Sequence, residues 1–282
     1  MNIPIMASNH FMPENLLPYL HLPSFLSTPL RSIFWKNWSQ TYEQFSVVVS
    51  PTEAAANVLR TNTPVTSLAV ISNGVDTSRF HPQSDKSSLR QKFGITSDVP
   101  IVLCIGRLDR EKHIDVILRA FAIFHAESKG HLLIAGRGSD QHRLTGIVQE
   151  LHIADSVSFL GFVPDADLPD LYAASDCYVI ASIAELQSIS TLEAMATGLP
   201  IVAARALALP ELVKDGNNGF TFEPDNADDC ALCIGKVFAS KDTYDSLSRE
   251  SLMASKKHDI HESVKAFEQL YVSTAHKTSF SF

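Results

Sequence analysis

From residue 99 onward, short continuous apolar runs alternate with longer stretches in which apolar residues recur every three or four positions. Residues 100–106 read as a strand, and the stretch after it sets Ile114, Ile117, Leu118 and Phe121 on one helical face. The alternation continues with a strand over 131–135, a helix over 140–151 and a strand over 156–160. It repeats as a strand over 178–180, a loop over 182–187, a helix over 188–196 and a strand over 201–203. Gly198 supplies the helix stop and Pro200 opens the next strand. Apolar strands joined by amphipathic helices predict a parallel sheet with both faces covered, because parallel neighbours require a crossover helix.

The pattern is weaker towards both ends. Residues 3–8 and 46–50 read as strands, and 30–45 as a helix carrying Trp35 and Trp38. Ser50-Pro51-Thr52-Glu53 carries a cap, a first-turn proline and a capping glutamate for a helix through Arg60. A polar, proline-containing connector over 61–66 predicts a boundary between units 1–67 and 68–240. Residues 242–282 read as two helices broken at 256–259, with Phe267, Leu270 and Tyr271 on an apolar face.

The chemistry concentrates near residues 178–203. Two carboxylates, Glu185 and Glu193, stand eight positions apart, one in the loop and one in the helix that follows. In parallel sheets ligands sit beyond the carboxyl ends of the strands, where helix N-termini offer free N–H groups to anions. The N-terminus near Ile189 and Ser190 is such a place, and Arg107 and Lys112 follow the strand at 100–106 on the same side. Arginine grips two oxygens at once, while lysine supplies a mobile point charge. The bland alternative is a solvated loop, since Asp109, Arg110 and Glu111 mix signs. Gly136 and Gly138 form an incomplete dinucleotide fingerprint with Gln141 where a glycine is required, which argues against a NAD enzyme. Gly136 instead permits close backbone approach to a nucleotide.

Composition narrows the picture. With 45% apolar and 19% charged residues in 282, the chain is an ordinary globular sequence of one large or two ordinary domains. A net charge of −8 argues against a nucleic-acid partner, because phosphate contacts need clustered Lys and Arg. Any anionic substrate must be held locally. Cys104 and Cys177 fall in apolar strands, and Cys230-Ala-Leu-Cys233 lies within a helix pattern without a second Cys/His pair, so packing is favoured over metal or redox use. That usage suits a reducing cytoplasm. No apolar run approaches the ~18 residues of a membrane span, and residues 1–10 lack the basic region of a signal peptide.

The run Glu185, seven residues, Glu193, then Ala-Met-Ala-Thr-Gly-Leu-Pro resembles the donor-site motif of family 4 of the retaining glycosyltransferases. Further segments follow in the family's order. Ser72-Asn73-Gly74-Val75-Asp76 with Phe80 and Pro82 resembles the linker into the donor domain. Ile105 to Lys112 resembles the diphosphate-gripping loop, and Leu133 to Gly138 the next strand and turn. Phe159 to Val163 resembles the segment beside the nucleobase, and Leu209 to Val213 with Asn218-Gly219-Phe220 the end of that domain. The likeness spans about Asn9 to Phe238.

The resemblance implies an α/β fold of GT-B type, with a complete C-terminal Rossmann-like donor domain and a partial N-terminal one. It also implies that helices over 241–282 return to the N-terminal part. The donor would be a UDP- or GDP-sugar, with no cofactor or metal, and the sugar would pass with retention to a hydroxyl acceptor, a membrane lipid among the candidates. Gly106, Arg107, Lys112 and the amides of Ser188, Ile189 and Ser190 would hold the diphosphate. Glu193 would bind the ribose, Glu185 the sugar hydroxyls, and Gly136, Phe162 and Val163 would flank the nucleotide. The segment Asn9 to Asn15 resembles the one holding the active-site histidine, which makes His10 that candidate, with Arg107, Lys112 and Glu185 as its catalytic companions. Only about 70 residues precede the linker, so a truncated N-terminal domain is expected, with an exposed sheet edge open to self-association. A second reading is a donor-binding unit that needs a partner chain, and a GT-B phosphorylase or epimerase is a remoter third. The expected location is cytoplasmic or peripheral on the inner face of the membrane. Residues 16–38, with Phe25, Arg31, Phe34, Trp35, Lys36 and Trp38, suit an interfacial helix, although Pro18, Pro23 and Pro29 are expected to interrupt it.

Overall fold

The computed structural model describes residues 3–13, 24–95 and 98–279. Two parallel sheets account for its strands. The smaller has the order β1-β2-β3, formed by β1 (Met6–Ser8), β2 (Val47–Ser50) and β3 (Leu68–Val70). Helix α1 (Ser24–Tyr42) joins β1 to β2, and α2 (Glu53–Asn62) joins β2 to β3.

The larger sheet has six strands in the order β6-β5-β4-β7-β8-β9. After α3 (Lys86–Lys92) come β4 (Ile101–Ile105), α4 (Ile114–Ser128), β5 (His131–Ala135), α5 (Gln141–Glu150) and β6 (Val157–Gly161). The chain continues with α6 (Leu168–Ala174), β7 (Cys177–Ile180), α7 (Ile189–Ala196) and β8 (Ile201–Ala204). It ends with α8 (Leu209–Leu212), β9 (Gly219–Phe222), α9 (Ala227–Val237), α10 (Lys241–Ser255) and α11 (Ile260–Ser279). Strands β4, β5, β7 and β8 are buried along nearly their whole length, which explains their unbroken apolar sequence. Strand order reverses between β4 and β7, so a crevice opens beyond the carboxyl ends of these two neighbours.

Several boundaries differ from expectation. Strand β3 pairs with β2 in the small sheet, so the 67/68 division falls one strand too early; the connector at 61–66 is a crossover within the first unit. Helix α2 is capped by Thr52, whose hydroxyl accepts the Ala55 N–H at 3.2 Å, rather than by Ser50, which ends β2. Pro29 lies inside α1 and does not interrupt it, while Leu16, Pro18 and Pro23 fall outside the described residues. Strand β1 is half the expected length, and Ile3 and Ile5 before it are exposed. Tyr271 on α11 is exposed as well, whereas the apolar face predicted for 114–121 is buried in full.

The two sheets are tied by side chains. Thr52 Oγ1 donates to the Leu186 carbonyl at 2.8 Å, and the Glu211 carboxylate accepts the first N–H groups of α2 from Glu53 and Ala54. The linker after β3 is stitched to the start of α11: Val75 N–H donates to His258 O at 2.8 Å and Ile260 N–H to Val75 O at 3.0 Å.

Candidate functional site

A cavity of about 530 Å3 fills the crevice beyond β4 and β7. Cys104, Ile105 and Gly106 form one wall, Ile180, Ala181 and Ser182 the other, and Glu185 with Gln187, Ser188, Ile189 and Ser190 closes its end. The loop after β4 is held rigidly. Gly106 N–H donates to Ala135 O at 3.0 Å, Leu108 N–H to Arg137 O at 3.0 Å, and Asp140 N–H to Leu108 O at 2.8 Å. This stacking of loops requires glycine at 136: φ is +134°, and a Cβ there would meet the Gly106 carbonyl oxygen at 1.8 Å. Asp109 reinforces it, accepting Ser139 N–H and Oγ–H at 3.1 and 2.9 Å.

The cations of this loop are engaged by carboxylates. Lys112 Nζ sits 2.6 Å from Glu185 Oε1, with both side chains three-quarters or more buried. Arg107 bonds Asp109 Oδ2 at 2.8 Å and also Glu111, whose other oxygen is buried without a hydrogen-bond partner. An arriving anion would compete with these carboxylates for the cations. Lys112 ends a 3-10 turn at His113, which adopts the left-handed region at φ +49° and contacts Asp225 Oδ1 at 2.6 Å.

Helix α7 points its first turn at the same cavity, and first-turn N–H groups lack intrahelical acceptors. Ser188 caps it by accepting Thr191 N–H at 3.2 Å, and Tyr178 OH donates to Ser190 Oγ at 2.7 Å. Glu193 lies farther along the helix and accepts Tyr172 OH at 2.8 Å. Burial lifts its carboxyl above the usual range, against the opposing pulls of that hydrogen bond and of the Arg79 charge. Arg79 pairs with Asp165 Oδ2 at 2.8 Å.

The structure therefore brings Gly106, Arg107, Lys112, Glu185, Ser188, Ile189 and Ser190 into one cavity lining, with Gly136 packed behind it. Glu193, Val163 and the exposed Phe162 lie outside that lining, and so does His10, which is exposed and contacts Ser8 Oγ at 2.9 Å. Gln187, Ser182, Tyr172, Tyr178 and Arg79 were not singled out from sequence. Gln187 sits within the signature, but a loop glutamine carries no pattern signal, Tyr178 falls in a strand read as buried, and Tyr172 lies in a short helix that the pattern did not reveal. All four cysteines are buried and free, and burial pushes the Cys104 thiol up to about 12. Among the described residues, no group of three or more His, Cys, Asp or Glu side chains could hold a metal ion, and no helix is long and apolar enough to cross a membrane.

Comparison with known proteins meets this geometry. Residues 85–252 match the family described as Glycosyl transferases group 1, and residues 1–79 match Glycosyltransferase Family 4. The chain belongs to the family 4, group 1 glycosyltransferases, and its fold is GT-B. An uncharacterized glycosyltransferase of Methanocaldococcus jannaschii is 31% identical over 238 residues, covering 82% of this chain and 59% of the relative. The alpha-monoglucosyldiacylglycerol synthase of Streptococcus pneumoniae is 31% identical over 173 residues, 60% of this chain and 39% of that protein. Among solved structures, Anabaena HepE in complex with UDP-glucose aligns with a TM-score of 0.80 at 24% identity, over 96% of this chain and 72% of that one. The chain spans about half the length of the curated relatives it matches.

Proposed function

We propose that the chain transfers a hexosyl group, with retention, from a UDP- or GDP-sugar to a hydroxyl acceptor. The observation carrying this reading is the Lys112–Glu185 pair at 2.6 Å, set between the end of β4 and the capped start of α7. Breaking the sugar–diphosphate bond loads the leaving group with negative charge, and fixed cations and helix-end N–H groups aimed at that charge are the main catalytic device. Lys112, Arg107 and the amides of Ser188, Ile189 and Ser190 stabilise the departing diphosphate, and Glu185 orients the sugar hydroxyls. The acceptor hydroxyl forms the new bond to the anomeric carbon as its proton leaves with the diphosphate. Glu193, half-buried and supplied with one hydroxyl donor by Tyr172, takes the ribose diol, and Gly136, Phe162 and Val163 flank the nucleotide. His10 acts from the N-terminal side. The reaction uses no cofactor or metal.

Calorimetry with UDP and GDP tests the reading directly. The chain is expected to bind at least one of them, and charge-neutral replacements at Arg107, Lys112 and Glu193 are expected to weaken it at least tenfold. Unchanged affinity in all three would refute it.

A lipid or glycolipid acceptor at the inner membrane face is supported by a relative named as a synthase of the glycolipid alpha-monoglucosyldiacylglycerol and by exposed Arg31, Ile33 and Lys36 on α1. Co-sedimentation with anionic liposomes checks it, and absence of binding counts against it. A second reading is a donor-binding unit completed by a partner or a second copy at the open edge of β1, beside exposed Ile3 and Ile5. Nucleotide binding without any transfer by the purified chain favours that reading, and turnover eliminates it.

A further inference from the structure

Three consecutive residues of the signature loop face three different parts of the molecule. Glu185 points into the cavity towards Lys112. Leu186 is buried among Met12, Tyr42, Ala55 and Leu59 of the small unit, and its carbonyl accepts the Thr52 hydroxyl. Gln187, only 6% exposed, borders the cavity and turns its amide to the linker, so that Ser72→Ala, outside the lining, is the variant that isolates the clamp: Gln187 Oε1 accepts the Asn73 N–H at 2.7 Å and its Nε2 donates to Ser72 Oγ at 3.0 Å. Ser72 Oγ also accepts the Gly74 N–H at 3.2 Å and lies 3.0 Å from His258 Nδ1, at the turn that opens α11. With two N–H groups donating to it, the Ser72 hydroxyl has Gln187 Oε1, at 3.3 Å, and His258 Nδ1, at 3.0 Å, within reach of its own proton. Gln187, the buried member of this network, is hydrogen-bonded through both ends of its amide, so a displacement of the linker would strand a buried polar group.

We propose that Gln187 is a positioning residue for the donor site: it clamps the loop carrying Glu185 and the helix cap Ser188 to the linker at Ser72 and Asn73. The inference rests on the donor-site reading of the cavity. Through the clamp, the sugar-side carboxylate, the start of α7 and the turn into α11 keep one relative placement, and a shift of the linker shifts the groups that meet the diphosphate. A small misplacement of such groups is costly, because electrostatic stabilisation depends on donors standing where charge develops.

Two variants of the full chain test this. Gln187→Ala removes the amide, and Ser72→Ala removes the hydroxyl that links it to His258 without touching the cavity lining. Both are expected to weaken UDP or GDP binding roughly 5–30-fold by calorimetry, with the thermal midpoint shifted by only a few degrees, and Ser72→Thr is expected to restore binding. If both variants bind as tightly as the parent chain, the positioning role falls while the donor site stands. If the parent chain binds neither nucleotide, the donor-site reading falls and the role with it. Should either variant fail to fold, amide exchange on the parent chain decides. Nucleotide must then slow exchange at Asn73, outside the cavity, along with residues 188–191, and protection confined to the cavity loop overturns the clamp.

Discussion

Both sheets are parallel, yet they are stabilised in different ways. In the larger one, Ile101, Val102 and Leu103 of β4 are fully buried, with two strands on one side of β4 and three on the other. In the smaller one all three residues of β3 remain half-exposed, and β1 is an edge. Parallel sheets depend on cover over both faces, and the small unit gains part of its cover from elsewhere. Among its described core residues is Leu186, which belongs to the signature loop of the larger unit. The lesson is that one loop serves two purposes: its side chain at 186 completes a small core while its neighbours at 185 and 188 build the cavity. Packing of the weaker unit and geometry of the site are therefore coupled, and four substitutions probe that coupling with decreasing effect.

The largest effect is expected at Gly136, where the large unit alone is challenged. A methyl group would press on the Gly106 carbonyl at 1.8 Å in a backbone conformation that side chains rarely adopt. Gly136→Ala is expected to cost at least ~3 kcal/mol, read from the urea midpoint of the donor unit. A loss under ~1 kcal/mol would mean that the loops after β4 and β5 are not stacked as described.

Next comes Lys112→Met, which keeps the aliphatic stem and removes the charge. Loss of one preorganised donor typically costs on the order of 10²–10³ in turnover, and the same variant leaves Glu185 without its cation. Stability is expected to change far less than activity, because the charged end lies at a ligand cavity and not in the core. Equal damage to both would mark the pair as structural.

Leu186→Ala is the substitution that addresses the coupling itself. Truncating a buried leucine costs ~2–4 kcal/mol depending on how far the site collapses. Here the loss is expected to fall on the small unit and, through the loop, to weaken nucleotide binding as well. Unfolding followed by Trp35 and Trp38 fluorescence, with UDP titration at low denaturant, separates the two. An affinity identical to that of the parent chain would show that the shared loop does not transmit strain.

How much of this was legible in sequence follows the same division. Five strands of the larger unit announced themselves through strand-length apolar runs, beside a clear helical period at 114–121, and their boundaries came within a residue or two, whereas β9 (Gly219–Phe222) was not read as a strand. The site was legible where chemistry shows as charge at a strand end or a helix start: Arg107, Lys112, Glu185 and Ser188 meet as expected. The small unit was read less well. Strand β3 is three residues long and half-buried, too short to carry a period, so its membership of the first sheet was invisible. The cap on α2 went to Thr52 because Ser50 was needed as the last residue of β2. Long-range pairings were the least legible. Nothing local tells that Gln187 meets Ser72, or that Lys112 pairs with Glu185, because such contacts depend on where the chain returns. His10 is the inverse case, since its neighbourhood matched a pattern while its side chain lies outside the cavity lining.

The smallest effect is expected at Glu193, and its sign is informative. Burial raises this carboxyl, so the folded chain holds the proton more tightly than the unfolded chain does. Its contribution is therefore fully present below the unfolded value near ~4.3 and is lost as pH rises through the folded value. His258 and His131 run the other way. Burial lowers both imidazoles, so their contribution is present above the unfolded value near ~6.5 and is lost as pH falls through the folded values. Glu193→Gln keeps an acceptor for Tyr172 and removes the buried charge. It is expected to stabilise the nucleotide-free chain at pH 7 by up to ~1 kcal/mol and to remove the Glu193 contribution from the pH profile, leaving those of the lowered histidines and of Asp76, Asp115, Asp170 and Asp259. The same variant is expected to bind UDP or GDP more weakly, since a neutral amide is a poorer partner for two ribose hydroxyls than a carboxylate. A carboxylate that costs the empty protein stability and gives the bound one affinity is the mark of a group held for its ligand. If the variant is destabilised without nucleotide and unimpaired with it, Glu193 is a structural partner of Tyr172 and the ribose must be held elsewhere.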